Sequence, residues 1–163
     1  MLTRNLVIVV FACAVTSVAS QSALAQGSCG WSALGTGVMS HPNLGSGVSS
    51  LAVFDDGSGP ALFAGGDLIT AGGQPVNSVA KWNGTTWAPV GGGVQISSAG
   101  YASVFALAVF DDGTGPALYV GGAFDVAGGI PANNIARWDG TTWSALSSGG
   151  GGVAGGFLGP AVR

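Results

Sequence analysis

The feature that most constrains this chain is an internal repeat with a fixed period of 56 residues. The segment LAVFDDG at 51–57 returns at 107–113, and GTTW at 84–87 returns at 140–143. Between residues 51 and 90, 24 of 40 positions are identical to the positions 56 residues further on. The same offset carries Trp87 back to Trp31. A repeat of this length is typical of one small structural unit that stacks on its neighbours.

Each unit contains four strand-like runs separated by turn residues. The runs of the first unit are Val48 to Phe54, Ala61 to Ala64, Ser78 to Trp82 and Thr85 to Val90. The first run ends at an Asp-Asp-Gly cluster, and the second ends at a glycine pair and leads into a Gly-rich connection. Asn83-Gly84, replaced by Asp139-Gly140 in the second unit, predicts a tight hairpin between the last two runs. No segment of 26–163 predicts a helix, so the fold class is all-β.

The first two runs of each unit are continuously apolar, whereas a strand with one wet face alternates between apolar and polar residues. Continuous runs are typical of strands whose sheet is covered on both faces. Such coverage arises when four-stranded antiparallel sheets stack radially as the blades of a propeller. The sequence therefore predicts propeller blades rather than a single open sheet.

The repeat also sets the expected boundaries. We expect the last strand of one blade at 31–38, full blades at 48–94 and 104–150, and the start of another at 153–163. About two and a half blades make an incomplete propeller, with uncovered sheet faces lined by Leu51, Val53, Leu107 and Val109. Because such arrays need three or more units to bury their cores, self-association is predicted.

The unit resembles a kelch repeat, in which an apolar strand ends in a glycine pair and two aromatic residues follow across a tight hairpin. The residues that carry this likeness are Gly65, Gly66, Trp82 and Trp87, and in the second unit Gly121, Gly122, Trp138 and Trp143. The chain is also similar to the glycine-rich repeats of Rax2-like cell-surface proteins. The resemblance implies a β-propeller fold, and it implies little about function because propellers host binding and catalysis alike.

The N-terminus has the composition of an export signal. Arg4 precedes an apolar stretch from Leu6 to Val18, and Ala23-Leu24-Ala25 matches an A-x-A cleavage site. We therefore expect a signal peptide at 1–25 and an exported propeller region at 26–163. The apolar stretch is too short for a membrane span, which needs about 20 residues. Cleavage leaves one cysteine, Cys29, and an odd cysteine in an oxidising compartment suggests intermolecular pairing or a free thiol.

The composition argues against several classes of function. Four basic residues face seven acidic ones, for a net charge of −3, which is too little positive charge to neutralise a nucleic-acid backbone. No nucleotide-binding or zinc-ligand spacing occurs, and the copper chemistry known on kelch-type propellers needs two histidines where this chain has one. No cofactor, metal or catalytic residue is therefore predicted.

Several side chains could carry function, and each has a simpler structural interpretation. The Asp-Asp-Gly clusters at 55–57 and 111–113 could bind calcium, but Asp before Gly is also what a turn requires. The tryptophans could stack on sugars, but their recurrence favours packing. Lys81 and Arg137 share one repeat position, which favours a solvated strand face. His41 has Ser97 as its counterpart, so a loop position is expected.

Taken together, these features favour an exported, non-catalytic module that binds a protein or a carbohydrate at or outside the cell surface. Two alternatives stay open. One is an enzyme scaffold whose active site lies on loops of other blades. The other is a fragment of a larger propeller protein without independent activity.

Overall fold

The computed structural model describes residues 9–12, 30–42, 47–98 and 101–146, and every regular element in these ranges is a β-strand. The strands are β1 (Val9–Ala12), β2 (Gly30–Ala33), β3 (Val38–Ser40), β4 (Val48–Asp55), β5 (Pro60–Gly66), β6 (Leu68–Ala71), β7 (Gln74–Pro75), β8 (Val79–Trp82), β9 (Trp87–Pro89), β10 (Val94–Gln95), β11 (Ser103–Asp111), β12 (Pro116–Ala123), β13 (Val126–Ala127), β14 (Ile130–Pro131), β15 (Ile135–Trp138) and β16 (Trp143–Ala145). The all-β prediction is confirmed. None of these ranges holds a helix long and apolar enough to cross a membrane.

Two four-stranded antiparallel sheets form the body of the molecule. Sheet 1 has the order β4-β5-β8-β9, and sheet 2 has the order β11-β12-β15-β16. Each is a simple meander, in which every strand pairs with the next long strand of its unit. The four predicted runs of each unit are therefore the four strands of one sheet. Closure into a propeller stays a prediction, because the strands of the described ranges form separate sheets and no ring.

The strands of the two sheets pair in the same register, as their repeated sequence suggests. Leu51 pairs with Ala64 in sheet 1, and Leu107 pairs with Val120 in sheet 2. The first strand of each sheet carries an irregularity at the same place, between Val48 and Ser50 and between Val104 and Ala106. The sequence repeat is thus a structural repeat down to individual residue pairs.

Two small three-stranded sheets join consecutive units, and the sequence did not predict them. One has the order β3-β6-β7 and the other β10-β13-β14. In each, the first strand belongs to the end of one unit and the hairpin belongs to the next. The Gly-rich connection predicted after each glycine pair is this hairpin. Val94, which we expected to end the blade at 48–94, pairs instead with Ala127 of the following unit.

The hairpin between the last two strands of each sheet forms as predicted, but its turn lies one residue later. The amide of Asn83 donates to the carbonyl of Thr86, so Gly84 and Thr85 are the central residues. The Asn83 side-chain oxygen accepts from the amides of Thr85 and Thr86 at 2.9 and 2.8 Å. This cap moves the turn, because Asn83 acts as its first residue rather than as a central one.

Residues alternate between two faces of each sheet, and the two inward faces build the main core. The inner face of sheet 1 holds Ala52, Phe54, Ala61, Phe63 and Val79, and it packs against the inner face of sheet 2, which holds Leu107, Leu118, Val120, Trp138 and Trp143. A second cluster lies on the outer face of sheet 1, where Leu34 and Val38 cover part of Leu62 and Trp82. The outer face of sheet 2 holds Phe110, Tyr119, Ile135, Arg137 and Ser144.

The predicted burial is confirmed for β5, and the exposure predicted at Leu51, Val53, Leu107 and Val109 is confirmed at three of these four positions. Ala61, Phe63 and Ala64 of β5 are buried, as a covered central strand requires. Leu51 and Val53 of β4 and Val109 of β11 are exposed, as the sequence predicted for uncovered faces. Leu107 was expected to be exposed with them, but it is partly buried because it packs against the core between the two sheets.

Several predicted segments lie wholly or partly outside the described residues. Strand β1 falls within the predicted signal peptide and pairs with β2, from Val9 opposite Ala33 to Ala12 opposite Gly30. Cys29, the proposed cleavage site after Ala25 and the partial blade at 153–163 are outside the described ranges, and the blade expected at 104–150 is described as far as Leu146.

Candidate functional site

The recurring tryptophans hold the joint between consecutive units. The indole Nε1 of Trp87 donates to the carbonyl of Leu34 at 3.0 Å, and that of Trp143 donates to the carbonyl of Val90 at 3.1 Å. Both bonds are buried, and in each sheet the two tryptophan rings lie 5.3–5.5 Å apart between centroids. Each pair therefore receives the turn that ends the preceding unit, which is the packing role predicted for these residues.

The recurring glycine pairs are required by close approach. A side chain at Gly66 would overlap the carbonyl oxygen of Gly47, and one at Gly122 would overlap that of Ser103. At Gly65 a Cβ would lie 2.5 Å from the Val104 side chain of the second unit. These glycines, like the tryptophans, serve the packing of strands and sheets, and they do not converge on a binding site.

The Asp-Asp-Gly clusters form turns that their own carboxylates cap. One carboxylate oxygen of Asp55 accepts from the amides of Gly57 and Gly59, both at 2.9 Å. Asp111 accepts from Gly113 and Gly115 in the same way, at 2.8 and 3.0 Å. These are the bonds of aspartate-capped turns, as the sequence predicted. In the ranges that the structure describes, no three His, Cys, Asp or Glu side chains are grouped as metal ligands.

Lys81 lies on the inner face of sheet 1 rather than on the solvated strand face that we expected, whereas Arg137 lies on the open outer face of sheet 2. The Lys81 ammonium reaches across sheet 1 to bond Asp56 and Ser58, and both members of the Lys81–Asp56 ion pair are largely buried. Burial raises the pKa of Asp56, but the bonds from Lys81 and Ser58 outweigh it, so the pKa lies below its ordinary value. The repeat position thus favours a cation because it pairs with the loop aspartate.

Arg137 makes the matching connection on sheet 2, where the same aspartate is more exposed. Its guanidinium donates to the hydroxyl of Thr114 at 2.8 Å, and its Nε lies 3.8 Å from Asp112. The hydroxyls of Thr114 and Tyr119 and the Thr114 amide donate to Asp112 and lower its pKa to about 2. The position is therefore a built ion pair on both sheets, and only the surroundings differ.

One cleft is lined in part by residues that do not recur in the repeat. It forms where the end of β3, the turn between β5 and β6, and the connection between β10 and β11 meet. Its volume is about 220 Å³, and its lining includes His41, Asp67, Ile69, Pro75, Asn77 and Tyr101. The rings of His41 and Tyr101 lie 4.1 Å apart between centroids, at an angle of 50°. We call this feature the His41–Tyr101 cleft.

Hydrogen bonds fix the walls of the His41–Tyr101 cleft. The Asn77 amide group donates to the carbonyl of Gly92 at 2.7 Å, and the buried Ser78 hydroxyl donates to the carbonyl of Ala102 at 2.6 Å. The amide of His41 donates to the carbonyl of Asp67 at 2.9 Å. These bonds tie three separate segments together, so the ring pair stands on a fixed frame.

Pro75 and Asn77 of the cleft recur as Pro131 and Asn133, but other lining positions change between the two units. His41 corresponds to Ser97, Ile69 to Asp125 and Tyr101 to Gly45. In the second unit Asp125 accepts from the amide and the hydroxyl of Ser97, both at 2.7 Å, in place of the contacts that shape the cleft. The sequence singled out His41 as a loop residue and missed Tyr101. Departure from the repeat is the signal that would have found both.

Comparison with known proteins gives no match: no family model, no curated protein and no solved structure is similar enough to this chain. The likeness to kelch and Rax2-like repeats therefore rests on the residues that carry it.

Proposed function

We propose that this chain is an exported, non-catalytic module of the kelch-like β-propeller type that binds a protein or a glycan through the His41–Tyr101 cleft. The observation that carries the proposal is that the aromatic ring pair of the cleft, His41 and Tyr101, lies at positions where the two units differ. Residues that recur in both units are explained by packing, whereas His41 and Tyr101 are not. A pair of side chains that the fold does not require is a candidate for recognition.

The chemistry of the cleft suits a small group rather than a whole ligand. Its volume of about 220 Å³ is below the range of roughly 300–1,000 Å³ that holds a drug-sized molecule. The tilted ring pair offers an apolar surface, and the neighbouring polar groups offer hydrogen bonds. Such a combination receives one sugar ring of a glycan or one side chain of a protein, with the rest of the ligand outside.

A binding role fits the cleft better than catalysis. The hydroxyl of Ser78, which lines the cleft, is buried and already donates to the carbonyl of Ala102. A nucleophilic serine needs a base within hydrogen-bonding reach and an accessible oxygen. The Ser78 hydroxyl is committed to a structural bond, so the cleft is better suited to hold a group than to attack one.

Glycan-array screening of the purified chain, followed by calorimetric titration of the strongest hit, tests this proposal. Tyr101→Ala removes half of the ring pair, and we expect it to weaken binding by about fivefold or more, since one aromatic contact contributes about 1 kcal/mol. Phe105→Ala is the matched control, because Phe105 is also exposed but does not line the cleft. Equal loss of affinity in both variants would contradict the assignment. Failure to retain any glycan or protein ligand would contradict the binding role itself.

Export is supported by the N-terminal residues Arg4, Leu6 to Val18 and Ala23 to Ala25. Mass spectrometry of the chain recovered from outside the cytoplasm should show Gln26 as the first residue. An exported product that still begins with Met1 would contradict cleavage at this site.

A second candidate is that the chain is part of a larger propeller whose activity depends on further units. The observation that favours it is that described residues leave apolar positions open on both outer faces of the sheet pair, at Val53 and at Phe110. Further copies of the 56-residue unit in the genomic sequence on either side would support this candidate. Flanking sequence without the repeat would argue against it.

A further inference from the structure

Four contacts make the joint between sheet 1 and sheet 2. The turn at Val90 and Gly91 fits against Trp138 and Trp143, Val104 packs over Gly65, and the Gly140 hairpin lies on the backbone of Asp56. The fourth contact buries Phe54 and Phe63 of sheet 1 beneath sheet 2. The inner face of sheet 1 supplies one set of these contacting residues and the inner face of sheet 2 supplies the other, and we call each set a half-joint.

The outer face of sheet 2 carries the same half-joint as the inner face of sheet 1, but no described residue covers it. Phe110 is 60% exposed, whereas Phe54, its counterpart, is 3% exposed. Leu146 is 46% exposed, whereas its counterparts Val90 and Leu34 are 3% and 8% exposed. At Gly121 the nearest described atom to a Cβ is 3.9 Å away, whereas Val104 crowds Gly65. Each receiving position is therefore present, and no described residue fills it.

The outer face of sheet 1 carries the complementary half-joint, and the part of this face formed by β4 is equally open. Leu51 is 47% exposed, whereas its counterpart Leu107 packs against the core of the internal joint, and Val48, the counterpart of the fully buried Val104, is only partly buried. Gly84, the counterpart of Gly140, has no described atom within 4 Å of its Cβ position. One molecule therefore displays both halves of its own internal joint, at opposite ends.

We propose that the outer face of sheet 2 in one copy of the chain binds the outer face of sheet 1 in a second copy and repeats the internal joint. The partner is identified by continuity, because the internal interface already shows which surface fits each position. Charge permits it as well, since Arg137 is paired with Asp112 and the opposing positions Leu51, Val53 and Trp82 are uncharged. The equivalent ion pair, Lys81 with Asp56, is already covered in the internal joint.

In this arrangement β16 of one copy and β2 of the next copy would occupy the same place, and the structure indicates which of the two strands is displaced. In the repeat, β16 and Leu146 of one copy occupy the place that β2 and Leu34 of the next copy hold. Strand β16 is integral to sheet 2, whereas β2 pairs with β1, which lies inside the predicted signal peptide. Residues 30–34 of the copy that contributes sheet 1 are therefore displaced. The carbonyl of Leu146 then takes the place of Leu34 as acceptor for the indole of Trp87.

Because the two surfaces differ, the contact is head-to-tail, and such contacts form closed rings or open filaments. Propellers close with typically four to eight sheets. Since each copy contributes two sheets, a closed ring contains two to four copies.

Light scattering after size exclusion tests the proposal on the purified chain, with the N-terminus that the exporting cell leaves on it and with reductant to exclude pairing through Cys29. At about 100 µM, where a complex with a dissociation constant of about 1 µM is almost fully formed, we expect a discrete species of two to four copies. Phe110→Asp blocks one surface, and Leu51→Asp blocks the other because Leu107, the counterpart of Leu51, packs in the internal joint; each variant alone should therefore be monomeric. Ile130→Gln, which places in the second unit the residue that Gln74 supplies in the first, should assemble like the parent chain.

Mixing the two blocked variants gives the decisive result. Each retains the surface that the other lacks, so an equimolar mixture should form a 1:1 heterodimer and nothing larger. Recovery of the heterodimer also shows that both variants are folded, as does a cooperative thermal transition in each alone. A monomeric parent chain, a blocked variant that still self-associates, or a mixture that stays monomeric would each overturn the proposal.

Discussion

Substitution of alanine at Gly65 and at Gly121 should have opposite effects on stability, although the two glycines occupy the same repeat position. Neither has a positive φ, so alanine fits the backbone at both. At Gly65 the new methyl group would lie 2.5 Å from Val104 and 3.2 Å from Leu107. Overpacking of this kind costs about 1–3 kcal/mol. Replacement of glycine within a strand recovers roughly 0.5–1 kcal/mol, which leaves a net destabilisation of about 1–2 kcal/mol.

At Gly121 the methyl group meets no described atom closer than 3.9 Å, so only the gain of about 0.5–1 kcal/mol remains. The two variants should therefore differ by about 2 kcal/mol, which corresponds to about 6 °C in melting temperature for a chain of this size. Thermal unfolding at a dilution where the chain is monomeric measures this difference. Equal shifts in both variants would refute the reasoning, because Val104 would then not restrict position 65.

The same pair of variants separates folding from assembly. In the proposed contact, Val48 of a second copy meets Gly121 as Val104 meets Gly65. Gly121→Ala should therefore weaken self-association while leaving the monomer as stable as the parent chain or more so. A Gly121→Ala chain that assembles normally would mean that this glycine does not face another copy.

Three further predictions concern single bonds and loops. Trp143→Phe removes the donor to the buried carbonyl of Val90 and should destabilise the chain by about 1–3 kcal/mol in denaturant unfolding, whereas an unchanged midpoint would show that the bond is dispensable. The amides of Thr142 and Thr141 hold the pKa of Asp139 well below its ordinary value of 3.8. The ionised carboxylate therefore stabilises the fold fully above a pH of about 4, and this stabilisation is lost as the pH falls through the folded-state pKa. Asp139→Asn, which copies Asn83 of the first unit, should therefore make stability less dependent on pH in the acid range, and an unchanged dependence would refute this assignment. Millimolar calcium should leave the melting temperature unchanged because the Asp55 carboxylate already caps its own turn, and a rise of several degrees would contradict the turn interpretation.

The sequence predicted the parts of the fold that depend on the repeat. Because the strand runs, glycine pairs and tryptophans recur at one spacing, the four strands of each sheet could be placed before the structure was known. The small sheets could not, since strands such as Gln74–Pro75 and Ile130–Pro131 have two residues and carry no periodic pattern. Their pairing is set by neighbouring units through β3 and β10, which local propensity does not describe.

The candidate site was only partly visible in the sequence, because its residues come from three separated segments. His41 drew notice as the single histidine, but nothing in the sequence places it against Tyr101, which is 60 positions away. Lys81 and Arg137 were read as solvated because a cation on a strand usually faces water. Their pairing with Asp56 and Asp112 depends on how the loop folds back over the sheet, which only the structure shows.

Equivalent residues that differ between the two units show which side chains are set by the sheet itself and which are set by what covers it. Phe63, buried against sheet 2, is replaced by Tyr119 on the open face, where the added hydroxyl donates to Asp112 at 2.8 Å. A hydroxyl with a partner inside its own sheet suits water and also tolerates a covering surface, since that hydroxyl stays hydrogen-bonded when it is buried. At the position equivalent to Phe54, the second unit also has a phenylalanine, Phe110, with no added polar group. A face that was only solvent-exposed would not need a phenylalanine there, so its retention beside an internally satisfied tyrosine favours a surface that is covered in the assembled protein.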